Sequence, residues 1–285
     1  MCRLTLFVNN CSGKMRDVGN FRNMKERYSQ QVLVPEVGAQ GQKRLLNSSV
    51  LVVGCGGLGS AAIPILAASG IGRLVLCDDD TVKISNLNRQ TIYREEDIGL
   101  SKVDVATRFV NKLNSDVEVI GLKAAIGPRN FNTVLNDVDI VVDCVDRLAV
   151  KLFLNDACIA KNKVLIHSVA IGFVGELMVI HPGKSPCYRC FFEQQPVSTD
   201  LNCARAGVIG ATVGVVGSMA AGEVIKHVIG VSQPNTGKLH RIDLLNHNFT
   251  TYEFSKNPRC MCCGTDSTTD PYDLESYEGK LRQHE

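Results

Sequence analysis

The sequence predicts an α/β fold built on a doubly wound, mainly parallel sheet. Over residues 50–169, short apolar runs typical of buried strands alternate with stretches of helical period. A glycine-rich turn follows the first apolar run, and the second run ends in three aspartates. After residue 170 the alternation changes, and the chain closes with two short strands. These observations favour a Rossmann-like sheet with an antiparallel C-terminal part.

The elements of the parallel part follow from local patterns. Four apolar residues at 50–53 predict a buried strand, and the apolar helical stretch 58–69 tolerates Pro64 because it lies early in the helix. The next helix begins at Ser101 and carries one apolar face, formed by Val103, Ala106, Val110 and Leu113. Further strands are predicted at 73–77, 117–120, 138–144 and 164–169, and a further helix at 148–160.

The C-terminal third contains fewer helices. We predict strands at 175–180, 239–243 and 249–254, a loop at 185–206 that is rich in Pro, Cys and Gln, and a small-residue helix at 208–229. The chain shows no internal repeat and no low-complexity linker. Residues 24–264 are therefore predicted to form a single domain, 1–23 a disordered N-terminal extension and 265–285 a C-terminal tail.

Composition excludes several classes of protein. The net charge is +2, from 31 basic and 29 acidic residues, so no global field favours nucleic acid or an anionic membrane surface. No apolar run reaches the roughly 18 residues that a membrane span needs. The twelve cysteines are not spaced as a secreted disulfide scaffold, and several lie in apolar stretches as small buried hydrophobes: Cys55, Cys77, Cys144 and Cys158. We expect a cytoplasmic protein without nucleic-acid or membrane partners.

The glycine-rich turn predicts a nucleotide site. Gly54, Gly56 and Gly59 keep G-x-G-x-x-G spacing between a strand and a helix, which lets the backbone approach a phosphate at the helix N-terminus. Asp78 ends the second strand 24 residues after Gly54, where a ribose-binding carboxylate is expected. Glycine-rich turns also serve close packing, so the acidic strand end is the feature that favours a nucleotide.

Charged residues near this crevice are candidates for phosphate and metal binding. Arg89 and Lys102 are the basic residues nearest the predicted phosphate site, and Arg89 lies in the polar loop 84–91, which follows the strand of Asp78. Asp146 follows another strand, where a carboxylate can hold Mg²⁺ against phosphates. The alternatives are solvated surface charges for the two cations and a helix N-cap for Asp146.

Two C-x-x-C pairs predict a structural zinc site. Cys187 with Cys190, and Cys260 with Cys263, can each supply two corners of a tetrahedral zinc ion and tie distant segments together. Cys262 is then a spare thiol. Unrelated reduced thiols or a disulfide are the alternatives.

One more cysteine is a candidate nucleophile. Cys203 stands apart from the pairs in a polar loop, and Arg205 nearby would favour its thiolate. An incidental surface thiol is the alternative. The six histidines show no ligand spacing and are interpreted as structural or surface residues.

Taken together, these segments resemble the ThiF/MoeB/HesA family, adenylating enzymes related to ubiquitin-activating E1 proteins. The resemblance covers about residues 24–264 and is carried by an ordered set of motifs. These include Arg-Tyr-Ser-Gln-Gln at 27–31, the glycine turn 53–60, Ser-Asn-Leu-Asn-Arg-Gln at 85–90, Asp-Ile-Gly-Leu-Ser-Lys at 97–102, Val-Asp-Cys-Val-Asp at 142–146, 186–190, Asn-Cys-Ala-Arg-Ala-Gly-Val at 202–208 and 260–264. Residues 171–179 and the Asn-Cys loop look most like the ThiF branch.

The resemblance implies a reaction and its parts. A homodimer would activate the C-terminal Gly-Gly carboxylate of a small ubiquitin-like sulfur carrier with MgATP, giving an acyl-adenylate and pyrophosphate ahead of sulfur transfer of the thiamine-thiazole or molybdopterin type. The implied nucleotide-binding residues are Gly54, Gly56, Gly57, Gly59, Asp78, Asp80, Asn86, Arg89 and Lys102. Asp146 would coordinate Mg²⁺, and the cysteine at the place of Cys203 joins the carrier in the ThiF branch. With no rhodanese-like domain after residue 264, the sulfur donor would be a separate cysteine desulfurase or rhodanese.

Two positions depart from the family pattern. Family members usually carry a second Arg in the Arg-Tyr-x-Arg-Gln motif, and it reaches the ATP of the neighbouring subunit; Gln30 stands there in this chain. The usual Asp-Asn pair is replaced by Asp146 and Arg147, so Arg147 is predicted to supply the missing charge. The alternatives are a non-catalytic partner subunit, E1-like activation of a small-molecule or tRNA-base carboxylate, or a nicotinamide dehydrogenase.

Overall fold

The computed structural model describes residues 26–192, 207–231, 237–275 and 277. Its helices are α1 Ser29–Val32, α2 Gly38–Asn47, α3 Gly57–Ser69, α4 Lys102–Leu113, α5 Phe131–Asn136, α6 Leu148–Ala160, α7 Tyr188–Phe192 and α8 Gly210–Ile229. Its strands are β1 Ser49–Val53, β2 Arg73–Cys77, β3 Glu118–Leu122, β4 Ile140–Asp143, β5 Val164–Ile171, β6 Val174–Ile180, β7 Lys238–Asp243 and β8 Asn248–Glu253.

The eight strands form one sheet in the order β3-β2-β1-β4-β5-β6-β7-β8. The first five pair in parallel, and β6, β7 and β8 add antiparallel pairs at one side. Strands β2 and β3 are added on one side of β1, and β4 and β5 are added on the other. The carboxyl ends of β1, β2 and β4 therefore meet at a topological switch point, where open α/β sheets bind ligands. The predicted fold class is confirmed.

Alternate side chains of the strands pack on the two faces of the sheet. Val50 and Val52 point to one core, which α2, α3, α4 and α8 cover. Leu51 and Val53 point to the other, which α5, α6 and the C-terminal cysteine segment cover. Burial on both faces explains why the parallel strands read as continuous apolar runs in the sequence.

Helix α8 is long and apolar enough to cross a membrane by length and composition alone, although Glu223 and Lys226 interrupt its apolar run. In the structure α8 packs on α2, α3 and strands β5 and β6, and its buried residues include Val213, Val216 and Val224. It occupies the position of a core helix.

Several local expectations need correction. Helices α1, α5 and α7 were not predicted, because their four to six residues are too few to show a helical period. The prediction of a loop over 185–206 was therefore wrong at 188–192, where α7 lies. Leu113, expected on the buried face of α4, is 37% exposed at the last residue of that helix. Ser101 stands at the N-cap of α4 as expected, but its side chain makes no capping hydrogen bond. The predicted extension 1–23 lies outside the described residues.

Candidate active site and metal centre

The glycine turn between β1 and α3 lies against the turn that follows β4. Gly54 has φ +94°, and a Cβ there would lie 2.7 Å from the Cys144 carbonyl oxygen. A Cβ on Gly59 would lie 2.2 Å from the Gly54 carbonyl oxygen, so the helix can start this close to the turn only with glycine. The first turn of α3 is thereby held at the carboxyl end of the sheet, with its N–H groups at the crevice.

Asp78 is held against this turn by two backbone hydrogen bonds. The Cys55 N–H donates to Oδ2 at 2.7 Å, and the Asp80 N–H donates to Oδ1 at 2.8 Å. Each carboxylate oxygen retains a lone pair that can accept a hydrogen bond from a ligand hydroxyl. Burial raises the pKa of Asp78, and the Lys102 ammonium offsets part of that rise. The position fits the predicted ribose-binding role.

Lys102 reaches the same acidic strand end from the first residue of α4. Its side chain is 7% exposed, and its Nζ lies 2.7 Å from Asp80 Oδ2. The Tyr93 hydroxyl donates to the Cys55 carbonyl oxygen at 2.7 Å and contacts the Lys102 carbonyl oxygen at 3.4 Å, so it links the glycine turn to α4. A buried ammonium therefore lies next to the predicted nucleotide crevice.

The loop after β2 carries the other polar candidates. Asn86 is buried, and its Oδ1 accepts a hydrogen bond from the Lys83 N–H at 3.0 Å. Arg89 is half-buried, and its Nη1 donates to the Ser85 carbonyl oxygen at 2.9 Å. A Cβ on Gly210 would lie 2.9 Å from the Asn88 carbonyl oxygen, so α8 begins directly against this loop.

Gln90 is a site residue to which the sequence analysis gave no role. It is 3% exposed, and its Nε2 lies 3.6 Å from where a Cβ on Gly56 would be. Its Oε1 is buried and has no hydrogen-bond partner in the described part of the chain. A buried acceptor beside the glycine turn fits a ligand that brings a donor. Polar residues in a loop give no periodic signal of burial, so only the 85–90 motif pointed here.

Asp146 is exposed on the turn after β4, the turn that contacts Gly54. It therefore lies at the carboxyl edge of the sheet, where the sequence analysis predicted a carboxylate that could hold Mg²⁺. The N-cap of α6 is Arg147, so the alternative that Asp146 caps this helix was wrong. Arg147 is half-buried beside it.

A fully buried ionic network supports this turn from below. Lys151 Nζ lies 3.2 Å from both carboxylate oxygens of Asp143 and donates to the Ser168 carbonyl oxygen at 2.6 Å. His167 Nδ1 lies 2.8 Å from Asp143 Oδ2, and the Val145 N–H donates to Asp143 Oδ1 at 3.1 Å. Burial alone would raise the pKa of Asp143, but the Lys151 charge and the His167 hydrogen bond outweigh it and lower that pKa.

The four cysteines of the two C-x-x-C pairs converge. Their sulfur atoms all lie within 4.8 Å of one another, with Cys187 Sγ 3.6 Å from Cys260 Sγ and Cys190 Sγ 3.4 Å from Cys263 Sγ. Four sulfurs at about 2.3 Å from a tetrahedral zinc ion are separated by about 3.8 Å from one another. The donor set and its spacing fit zinc. Cys262 stays outside the four and accepts a hydrogen bond from Asn155 Nδ2 at 3.4 Å.

A second ion pair joins this cluster to α6. Arg189, between the first two cysteines, donates to buried Asp156 from Nε at 2.7 Å and from Nη2 at 2.6 Å. The Tyr277 hydroxyl also donates to Asp156, and the Tyr188 N–H donates to Asn155 Oδ1 at 2.8 Å. The cluster is therefore fastened to the core by groups other than the metal ligands.

Three further residues that the sequence analysis named are not part of the site geometry described above. Gln30 is exposed on α1, and nothing in the described residues brings it to the glycine turn. Cys203 and Arg205 lie outside the described residues.

Comparison with known proteins places this geometry in a family. Residues 28–262 match the model of the ThiF family. The chain belongs to the ThiF family. The glycine turn, the Asp78 carboxylate and the cysteine cluster are thus parts of a ThiF-family fold, and the expected family is confirmed.

Similar sequences extend along most of the chain. It is 40% identical over 255 residues to the adenylyltransferase and sulfurtransferase MOCS3 of Sus scrofa, a match that covers 89% of this chain and 56% of the relative. It is 38% identical to the SAMP-activating enzyme E1 of Haloferax volcanii, covering 89% of this chain and 94% of the relative. This ThiF-family chain thus spans about half the length of the MOCS3 relatives that it matches.

The solved structure of Escherichia coli MccB with ATP is similar in fold. It has a TM-score of 0.76 and 27% identity, over 86% of this chain and 75% of that chain.

Proposed function

We propose that this chain adenylates the C-terminal Gly-Gly carboxylate of a small ubiquitin-like sulfur carrier with MgATP, giving an acyl-adenylate and pyrophosphate. The observation that carries the proposal is the crevice at the ends of β1, β2 and β4, where the Gly54 turn, Asp78 and Lys102 lie together in a ThiF-family fold. Relatives named adenylyltransferase and SAMP-activating enzyme E1 favour a molybdopterin type of carrier.

Each residue has a role that its position supports. The backbone at Gly54, Gly56, Gly57 and Gly59 lets phosphates approach the N-terminus of α3. Asp78 accepts hydrogen bonds from the ribose, with Asp80 beside it. Asn86, Arg89 and Lys102 contact phosphates and neutralise the charge that builds when the carrier carboxylate attacks the α-phosphorus.

Magnesium and zinc have separate roles. Asp146 would hold Mg²⁺, which supplies charge neutralisation at the phosphates when it is bound. Arg147 beside it would add the positive charge that Gln30 does not provide. The four cysteines would hold zinc in a structural role, since a site with four thiolates leaves no open position for substrate.

The partners follow from the same reaction. The carrier presents its Gly-Gly end at the crevice, and a separate cysteine desulfurase or rhodanese donates sulfur. Cys203 would join the carrier during that transfer. A cytoplasmic homodimer is part of the proposal. Family membership and the names of the relatives favour it over a nicotinamide dehydrogenase and over a silent partner subunit.

The test is carrier-dependent ATP–pyrophosphate exchange. Purified zinc-loaded chain is mixed with a candidate carrier, and the same carrier without its two terminal glycines is the control. Exchange that requires the terminal glycines supports the proposal. Folded protein that binds MgATP but exchanges with no Gly-Gly carrier would contradict it.

A matched pair of variants makes this test specific to the site. Asp146→Asn is expected to reduce exchange by about 100-fold or more, a loss typical of removing one stabilising group from a transition state. Asp116→Asn removes an exposed carboxylate before β3, at the opposite edge of the sheet, and should leave exchange unchanged.

A further inference from the structure

The Asp80 carboxylate at the nucleotide crevice is bonded to two lysines. Lys102 Nζ lies 2.7 Å from Oδ2, and Lys83 Nζ lies 3.1 Å from Oδ1. The Lys102 side chain is 7% exposed, whereas that of Lys83 is 60% exposed. Asp80 therefore separates a buried ammonium from a solvent-facing one.

We propose that Lys83 is a positioning residue of the nucleotide site, which keeps Asp80 neutralised while Lys102 contacts the nucleotide phosphates. This inference rests on the proposed function, and it adds a residue to which the sequence analysis gave no role.

The charges at the end of β2 show why a second cation is needed. The run 78–80 brings three carboxylates to this strand end, and within the described residues Lys83 and Lys102 form ion pairs with Asp80. When the Lys102 ammonium contacts a phosphate, it is shared between two anions and neutralises Asp80 less completely. Without Lys83, an uncompensated carboxylate would then lie beside a polyanion and repel it.

Backbone hydrogen bonds hold Lys83 close to Asp80. Its N–H donates to Asn86 Oδ1 at 3.0 Å, and the neighbouring Thr81 N–H donates to Asp80 Oδ1 at 2.9 Å. The Lys102 N–H donates to the Asp80 carbonyl oxygen at 3.1 Å, so the backbones of both lysines are tied to this acidic segment. Burial alone would raise the pKa of Asp80, but hydrogen bonds from Lys102 and Lys83 outweigh it and lower that pKa.

An exposed lysine contributes little to stability through a surface ion pair. Lys83→Met should therefore leave the melting temperature of the nucleotide-free chain unchanged. Its effect should appear as a loss of MgATP affinity without a loss of adenosine affinity, a difference that a merely structural role would not produce.

The experiment is calorimetric titration of the full chain with MgATP and with adenosine. Lys83→Met should weaken MgATP binding by about three- to tenfold at low salt and leave adenosine binding unchanged, because adenosine lacks phosphates. The difference should shrink at about 1 M salt, where the screening length falls to about 3 Å. Lys83→Arg should restore binding, since it restores the charge.

Lys238→Met is the matched control. Lys238 forms a comparable surface pair with Glu253 at 3.3 Å on β7 and β8, and its loss should leave MgATP affinity unchanged. Equal MgATP affinity in Lys83→Met and wild type, or equal losses for MgATP and adenosine, would overturn the inference. Failure of the wild-type chain to bind MgATP would instead refute the proposed function.

Discussion

Removing Lys151 tests whether the buried network beneath the β4 turn is an ionic support. Asp143 is 0% exposed, and Lys151 is its only full positive charge among the contacts that the structure describes. Lys151→Met keeps most of the side-chain volume but removes three contacts, two to the carboxylate and one to the Ser168 carbonyl oxygen. A buried carboxylate that loses its cation costs about 3–5 kcal/mol.

Because His167 and the Val145 N–H still bond Asp143, we expect the lower end of that range, about 3 kcal/mol. In a chain of this size each kcal/mol lowers the melting temperature by about 2–4 °C, so the expected drop is about 6–12 °C. The assay is urea and thermal unfolding of zinc-loaded protein at neutral pH.

Two further variants make the result decisive. Asp143→Asn combined with Lys151→Met removes both charges and should be more stable than Lys151→Met alone, since no uncompensated charge stays buried. Lys123→Met breaks an exposed pair with Asp104 and should cost less than about 1 kcal/mol. A loss below about 1 kcal/mol for Lys151→Met would refute this account of the network.

Three other predictions address the metal centre, pH and the glycine turn. Cys263→Ser should release zinc to a chelator much faster than wild type, whereas Cys262→Ser should retain it, and equal release from both would contradict the ligand assignment. Burial and then the Lys151 charge lower the pKa of His167, so the unfolded chain binds its proton first as pH falls. Stability should therefore decrease as pH falls below about 6.5, the ordinary pKa of histidine, and His167→Asn should flatten part of that decrease, measured by urea midpoints. Gly59→Ala would place a Cβ 2.2 Å from the Gly54 carbonyl oxygen, so MgATP binding should be lost; wild-type affinity in this variant would show that the turn can open.

Sequence reasoning succeeded where the signal was local. The strand 73–77 and the helix 148–160 match β2 and α6, because apolar runs and helical period are set by neighbouring residues. The Asp78 contact with the glycine turn was predictable for the same reason, since the turn and the strand end keep fixed spacing in such sheets.

Sequence reasoning missed contacts between residues that are distant along the chain. In the sequence Lys151 is a charged residue within a mostly apolar helix, and no neighbouring residue indicates that it contacts Asp143 and the Ser168 carbonyl oxygen. His167 was interpreted only as structural or surface, and the structure shows it fully buried against a carboxylate. No motif predicted a role for Lys83, because that role depends on its ion pair with Asp80, the carboxylate that also pairs with Lys102.

The buried thiols on the sheet have a practical consequence. Burial raises the pKa of Cys77 and of Cys144 to about 12 and also raises those of Cys55 and Cys158, so these sulfurs stay protonated and inert toward alkylating reagents in the native fold. A reagent can label them only after the structure opens locally, and the labelling rate then measures the free energy of that opening. Cys77 is the last residue of β2, and Cys144 directly follows β4. Mass spectrometry of alkylated peptides would therefore measure how often the carboxyl ends of these two strands open, without an introduced probe.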